Sequence, residues 1–162
     1  MVNQLQERPT PTSNITYYRS DQLTSRKVSI AVMTKFITRS DLSVEVATTK
    51  ITHAMEDAGM TIFAIVDHGE NAAGVGLDLP ATVIITVGNP KAGTGLINAY
   101  PGLAIELPPR LLVRQTSQGV EVWLASVVES LARLPGAPSD PAADKIDSHL
   151  AAIVTDALHP DS

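Results

Sequence analysis

The fold is decided by two apolar stretches, Thr61-Ile-Phe-Ala-Ile-Val66 and Ala81-Thr-Val-Ile-Ile-Thr-Val87. Both are short and rich in β-branched residues, and each ends at a polar or glycine-rich segment, as strands do. Asp67-His68 follows the first stretch, and Gly88-Asn-Pro-Lys-Ala-Gly-Thr94 follows the second. Because polar groups at strand ends commonly form the sites of α/β proteins, these two segments hold the candidate functional residues.

The chain before the first stretch shows one strand pattern and one helix pattern. Period-2 alternation from Lys27 to Phe36 predicts a strand with one buried face. Apolar residues at helical spacing over 44–58, with Ser40 or Ser43 as N-cap and Gly59 as the stop, predict a helix. The strand 60–66 is apolar at both parities, so we expect both of its faces to be covered.

The chain after the second stretch predicts a hairpin and two helices. Strands 111–115 and 120–124 flank the turn Ser117-Gln-Gly119. Ser126 with Glu129 three residues later forms a capping box that opens a helix. Residues 140–158 carry an apolar stripe at helical spacing and predict a last amphipathic helix.

These elements give the order βαβ(α)β(α)ββ followed by terminal helices. The order suits an α+β protein, a two-layer sandwich around a mostly antiparallel sheet. We predict a disordered N-terminal arm over 1–26, an α+β domain over 27–134, a linker over 135–141, and a C-terminal helix and tail over 142–162. The arm is polar and contains Pro, so it cannot bury enough surface to offset its ordering entropy.

Composition and charge argue against several classes of function. The chain has 162 residues and a net charge of −5 with no cluster of Lys or Arg, which argues against a nucleic-acid partner. It has no cysteine, which removes disulfides, thiol nucleophiles and Cys-based zinc sites. No apolar run approaches the ~20 residues that cross a bilayer, and no secretory signal opens the chain. We therefore expect a cytoplasmic protein without membrane contact.

The segment Gly88–Thr94 has the pattern of a helix start, which predicts a position that could hold an anion. Asn89 is a favoured N-cap, and Pro90 suits the first helical position. The free N–H groups of such a start favour a carboxylate or phosphate, with Lys91 as a nearby counter-charge. Gly93 permits close approach of a ligand. The alternative is a capped helix that packs tightly at this glycine, without a ligand.

The same segment does not match a nucleotide-binding loop. The two glycines have the spacing of a Walker A motif, but Thr94 stands where that motif requires Lys. Its hydroxyl remains a candidate ligand contact. Nucleotide hydrolysis by that route is not expected.

Asp67 and His68 are the candidate catalytic pair. A carboxylate beside an imidazole can orient the ring and raise its pKa, as in a general base. A hydrogen-bonded structural histidine at a strand end is the alternative. His68 lacks close partners for a metal site, since His53, His149 and His159 lie on other segments. We predict no metal site, and the cofactor, if one exists, stays unknown.

The chain resembles the domain of unknown function 302 family. The resemblance is carried by the following segments: Met60-Thr-Ile-Phe-Ala-Ile-Val-Asp-His68, Ala72-Ala73, Val75-Gly-Leu77, Leu79-Pro-Ala-Thr-Val-Ile-Ile85, Val87-Gly-Asn-Pro-Lys-Ala-Gly-Thr94 and Leu107-Pro-Pro-Arg-Leu-Leu-Val113. It covers 27–134 and leaves the arm and the last helix outside, so we interpret that helix as an elaboration of this protein.

The resemblance implies a small two-layer α/β sandwich and a homodimer, but no established reaction. It also implies that His68, Asn89, Pro90, Gly93 and Thr94 cluster in space. We therefore expect one cleft between Asp67-His68 and Gly88–Thr94 that binds a small, anionic ligand.

Three functions stay open from the sequence. The first is binding of a small molecule in this cleft, with catalysis undecided. The second is a non-catalytic dimeric accessory or sensor domain. The third is binding of haem or a metal through His68.

Overall fold

The computed structural model describes residues 34–160. The predicted arm and the strand pattern before Thr34 lie outside the described residues. The described part contains strands β1 Thr34–Ser40, β2 Thr61–Asp67, β3 Thr82–Gly88, β4 Arg110–Thr116 and β5 Gly119–Ala125. Its helices are α1 Val44–Asp57, α2 His68–Ala73, α3 Pro90–Ala99, α4 Val127–Ala132 and α5 Pro141–Leu158, with a 3-10 helix at Pro101–Ile105.

The five strands form one antiparallel sheet in the order β1-β5-β4-β3-β2. The hairpin of β4 and β5 turns where Thr116 pairs with Gly119, as the sequence predicts. Ser43 and Ser126 accept hydrogen bonds at the starts of α1 and α4. Of the two predicted caps of α1, Ser43 is the cap and Ser40 ends β1, and the predicted cap of α4 is confirmed. The predicted α+β fold with a mostly antiparallel sheet and a C-terminal helix is confirmed.

The core lies between one face of the sheet and helices α1 and α5. Alternate strand residues are buried on that face because side chains in a strand point to opposite sides. The buried sheet residues are Val83, Ile85, Val87, Leu111, Val113, Val120, Val122 and Leu124. α1 contributes Val44, Ala47, Ile51 and Met55, and α5 contributes Leu150, Val154 and Leu158.

The C-terminal helix is therefore part of the core and does not stand apart from the sheet. A second set of contacts fixes α5 to α4. The buried Asp147 of α5 accepts hydrogen bonds from the Ser126 hydroxyl and from the Val127 amide. Asp147 is thus a buried carboxylate that supplements the capping of α4 from another helix.

The opposite face of the sheet carries one apolar row. The pairing register aligns one residue from each strand across the sheet, namely Phe36, Trp123, Leu112, Ile84 and Val66. The rings of Phe36 and Trp123 meet edge to face, with their centroids 5.2 Å apart. These side chains are half-buried or exposed.

β2 departs from the sequence-based prediction. We expected both faces of this strand to be covered, but it is an edge strand, and six of its seven residues are exposed. Phe63 is 49% exposed and Ile65 is 53% exposed. The apolar run predicts a strand correctly, but a central strand and an apolar edge strand have the same composition.

Candidate functional site

The two predicted halves of the site lie at opposite ends of the β2–β3 pair. Thr61 pairs with Gly88, whereas Asp67 pairs with Val83. Six residue steps separate these ends, roughly 20 Å at about 3.3 Å per residue. The expected shared cleft between Asp67-His68 and the segment Gly88–Thr94 is therefore wrong for a single chain. The C-terminal ends of two antiparallel neighbours lie at opposite ends of the strand pair. Two such ends lie side by side only when the strands run parallel.

Asp67 has a structural contact within its own segment. Its carboxylate caps α2 by accepting a hydrogen bond from the Glu70 amide, at 2.8 Å between oxygen and nitrogen. His68 is the first residue of α2 and is exposed. The carboxylate therefore points towards the start of α2. Among the described residues, no hydrogen bond joins the side chains of Asp67 and His68.

The segment Gly88–Thr94 has the local structure that the sequence predicts. Asn89 is the N-cap of α3, and its side-chain oxygen accepts a hydrogen bond from the Lys91 amide at 2.9 Å. Pro90 occupies the first turn. A methyl group added at Gly93 would meet no atom within 4 Å. The tightly packed glycine considered as an alternative is therefore not observed, and this side of α3 faces open space.

That open space is a cavity of about 660 Å³. The size is ordinary for a small-molecule site. Its wall joins the start of α3 to the end of β3, the start of β2, the segment before β4, and α5. The lining residues are Ala58, Met60, Phe63, Gly88, Asn89, Pro90, Ala92, Gly93, Thr94, Ile97, Leu107, Pro108, Pro109, Ala142, Lys145, Ile146, His149 and Leu150.

The polar lining of this cavity is small and lacks acids. Among the described residues that line it, the side chains with polar groups are Asn89, Thr94, Lys145 and His149. Lys145 and His149 are four residues apart on α5, so they project from the same side of that helix. Both are exposed, which places them at the rim.

The cavity contains five of the eight candidate residues predicted from the sequence, together with α5 residues that were not among the candidates. Gly88, Asn89, Pro90, Gly93 and Thr94 line the cavity, whereas Lys91, Asp67 and His68 do not. Lys145 and His149 were missed because more than fifty residues separate them from Asn89. The available signal was their spacing of four residues beside the apolar stripe of α5.

Neither a metal cluster nor a membrane span is found in the described part of the chain. Within residues 34–160, no group of three or more His, Asp or Glu side chains is placed to hold a metal ion. No helix in that range is both long and apolar enough to cross a bilayer.

Part of the chain is similar to three curated proteins of Brucella. The proteins named Fluoride-specific ion channel FluC 1 of Brucella suis and of Brucella abortus are each 42% identical to it over 66 residues. The same holds for Fluoride-specific ion channel FluC 2 of Brucella melitensis. The match covers 41% of this chain and 24–26% of those proteins. The chain thus spans about a quarter of the length of the curated relatives it matches.

A solved structure and a family model identify the fold and the family. The crystal structure titled uncharacterized conserved protein DUF302 from Bacillus stearothermophilus superposes with a TM-score of 0.63 at 16% identity. The superposition covers 78% of this chain and 96% of that one. The family model described as Domain of unknown function DUF302 matches residues 36–156. The match includes most of α5, so the interpretation of the last helix as an elaboration outside the family is wrong. The chain belongs to the DUF302 family.

Proposed function

We propose that this domain binds a small, mainly apolar ligand that carries one negative charge, in the cavity between α3 and α5. The observation that carries the proposal is the cavity itself, whose wall is apolar except for four side chains. A largely apolar pocket with a few convergent polar groups is the usual form of a small-molecule site.

The charge of the ligand follows from the polar part of the lining. Lys145 is a cation, and His149 becomes one on protonation, while no acidic side chain lines the cavity among the described residues. Asn89 and Thr94 add neutral hydrogen-bonding groups. A carboxylate or sulfonate at this rim gains a counter-charge, whereas an ammonium group would meet only like charge.

The apolar body of the ligand fits the interior of the cavity. Phe63, Ile97 and Ile146 supply aromatic and aliphatic surface from three different elements, and Leu107 adds more from the segment before β4. Gly93 leaves room beside them, since nothing lies within 4 Å of the position a side chain would take. A glycine within a helix costs about 0.5–1 kcal/mol relative to alanine. The glycine lowers the stability of the helix and in return leaves room for a ligand.

The test uses two fluorescent probes with the same aromatic body. One is 8-anilinonaphthalene-1-sulfonate, which is anionic, and the other is N-phenyl-1-naphthylamine, which is neutral. We expect both to bind once per chain. Lys145→Glu should weaken the sulfonate by roughly fivefold or more, about 1 kcal/mol, and should leave the neutral probe nearly unchanged. Lys50→Glu on α1 makes the same charge change on an exposed surface outside the cavity and is the control.

The position of the site is tested by filling the cavity. Gly93→Leu should abolish binding of both probes because the new side chain occupies the open space. Gly95→Leu is the matched control, since Gly95 lies on the same helix, also in open space, but does not line the cavity. Equal binding to both variants would place the probes elsewhere and would reject the proposal.

A second candidate function is an accessory or sensing domain for an anion channel. The observation that favours it is the 42% identity over 66 residues to proteins named as fluoride-specific ion channels. In this case the small anion itself would bind at the rim of the cavity, near the start of α3. The domain would then report on the ion rather than transform a substrate.

This candidate is tested by titrating the domain with sodium fluoride against sodium chloride at constant ionic strength. Amide NMR shifts should change for Lys91 to Gly93 with fluoride alone. Identical responses to the two salts would contradict a fluoride-sensing role.

A further inference from the structure

We propose that two copies of this chain pair antiparallel through their β2 edges, and that this pairing brings the partner's Asp67 and His68 to the mouth of the cavity. The role of those residues at the cavity rests on the proposed ligand site. The pairing itself stands on the following features of β2.

The two edges of the sheet differ in protection. Natural edge strands carry charged residues, especially Lys, that discourage pairing with another chain. β1 has Lys35 and Arg39 among its seven residues. β2 has no charged residue before Asp67 at its end. Within residues 34–160, no strand pairs with the outer side of either β1 or β2. In the described range β2 is therefore the less protected edge, and no strand of that range uses its outer main-chain groups.

Exposed apolar side chains lie on β2 itself. Of the nine large apolar side chains that are exposed in the described part, three belong to this strand, namely Phe63, Ile65 and Val66. An edge strand that exposes large apolar side chains and carries no charge before its last residue is a candidate for pairing with another chain.

The occupant that fits this edge is a second copy, because an antiparallel pair of identical strands matches every donor with an acceptor. A register irregularity between Ile62 and Ala64 leaves Phe63–Asp67 as the regular part of the strand. A two-fold axis at the centre of that part passes Ile65, the most exposed of the large apolar side chains of β2. Each Asp67 then faces the partner's Phe63. The two Asp67 carboxylates stay about 13 Å apart along the strands.

This register has a consequence for the site. Phe63 and Met60 line the cavity, and the partner's Asp67 and His68 would lie opposite Phe63 and Ile62. His68 is five residues from Phe63 of its own chain, roughly 16 Å at about 3.3 Å per residue, and in the dimer its imidazole would stand at the mouth of the neighbouring cavity. The dimer would contain two cavities, each completed by the other subunit.

The pairing is tested by disulfide formation, since the chain has no cysteine of its own. In Ile65→Cys, the two thiols face each other across the axis, and opposite Cα atoms in an antiparallel pair lie about 4.5–5.5 Å apart, within the range a disulfide spans. Mild oxidation at about 10 µM chain should link most of this variant. Ile105→Cys is the matched control, because Ile105 is 86% exposed, more than the 53% of Ile65, and lies on the 3-10 helix and not on β2. Equal linkage of the two variants, or none at Ile65→Cys, would overturn the proposal.

The register, and with it the position of His68, is tested by mixing two variants. Phe63→Cys and Asp67→Cys should link to each other when mixed, and each should remain largely unlinked alone. Efficient linkage of Phe63→Cys to itself would overturn the placement of His68 at the cavity. Neither experiment uses a ligand, so failure of the pairing is distinguishable from failure of the ligand site. The probe titrations with Gly93→Leu report on the ligand site alone.

Discussion

The carboxylate of Asp147 on α5 accepts a hydrogen bond from the hydroxyl of Ser126 at the start of α4, with 2.5 Å between the two oxygen atoms. The Val127 amide donates to the other oxygen of the same carboxylate at 2.8 Å. Asp147 is only 4% exposed. A buried carboxylate on one helix therefore holds the first turn of another.

We predict that Asp147→Ala destabilises the domain by about 2–4 kcal/mol, because it leaves the Ser126 hydroxyl and the Val127 amide buried without a partner. Urea unfolding followed by circular dichroism measures the loss. Asp144→Ala is the control on the same helix. Because Asp144 is exposed, its removal should lower the free energy of unfolding by less than about 1 kcal/mol. Similar losses for both variants would show that the buried contacts do not hold α4.

We predict that Gly93→Ala and Gly95→Ala each stabilise the domain by about 0.5–1 kcal/mol, because alanine favours a helix over glycine. Neither new methyl group would meet an atom within 4 Å. Thermal unfolding measures the gain. Their effects on probe binding should differ, since only Gly93 lines the cavity. A loss of stability in Gly93→Ala would contradict the open space seen beside it.

We predict a pH-dependent contribution from Arg39 and Glu121. The Arg39 guanidinium donates a hydrogen bond to Glu121 at 2.7 Å and lowers the pKa of that carboxyl below its ordinary value of 4.5. A lowered pKa in the folded state gives stability that is present above the ordinary pKa and is lost as the pH falls through the lowered one.

Arg39→Met should therefore melt at a lower temperature than the unmodified chain at neutral pH. This difference in melting temperature should disappear as the pH falls below 4.5. The effect should be small because Arg39 is 42% exposed. Lys35→Met removes a positive charge from the same strand without this contact. A gap that stays constant down to strongly acidic pH would argue against the ion pair as its source.

We predict that Gly119→Ala is more harmful than Gly59→Ala. Both glycines have positive φ, which costs a non-glycine residue about 1 kcal/mol or more. At Gly59 the added methyl group meets nothing within 4 Å, whereas at Gly119 it would lie 2.7 Å from the Ser40 carbonyl oxygen. Urea unfolding should show an additional loss of at least about 1 kcal/mol at Gly119, of the kind that overpacking produces. Equal losses would mean that β1 moves away at little cost.

Local features of the fold could be predicted from the sequence. The caps Ser43, Asn89 and Ser126 depend on hydrogen bonds over two or three residues, so residue type and neighbours suffice to find them. The β4–β5 hairpin also depends on adjacent segments. These predictions are confirmed because the interactions behind them span a few positions of the chain.

Features that depend on which strands are neighbours or on distant contacts could not be predicted. The relative positions of His68 and Asn89 follow from β2 and β3 being adjacent antiparallel strands, whereas the apolar patterns predict a mostly antiparallel sheet without its strand order. Capping by Asp147 spans 20 or more residues. The contribution of Lys145 and His149 to the cavity likewise requires α5 to fold back onto α3.

The position of Asp147 on α5 links two properties that otherwise would be independent. Lys145, Ile146 and His149 line the cavity, and Asp147, between them in sequence, secures α4. A ligand that binds only when α5 is packed on the domain stabilises that packed form. The stabilisation free energy grows with the logarithm of the ratio of ligand concentration to dissociation constant. The amide hydrogens at the start of α4 should then exchange with solvent more slowly when the cavity is filled, although no ligand atom touches them. Hydrogen exchange at Val127 would report occupancy from the far side of the helix.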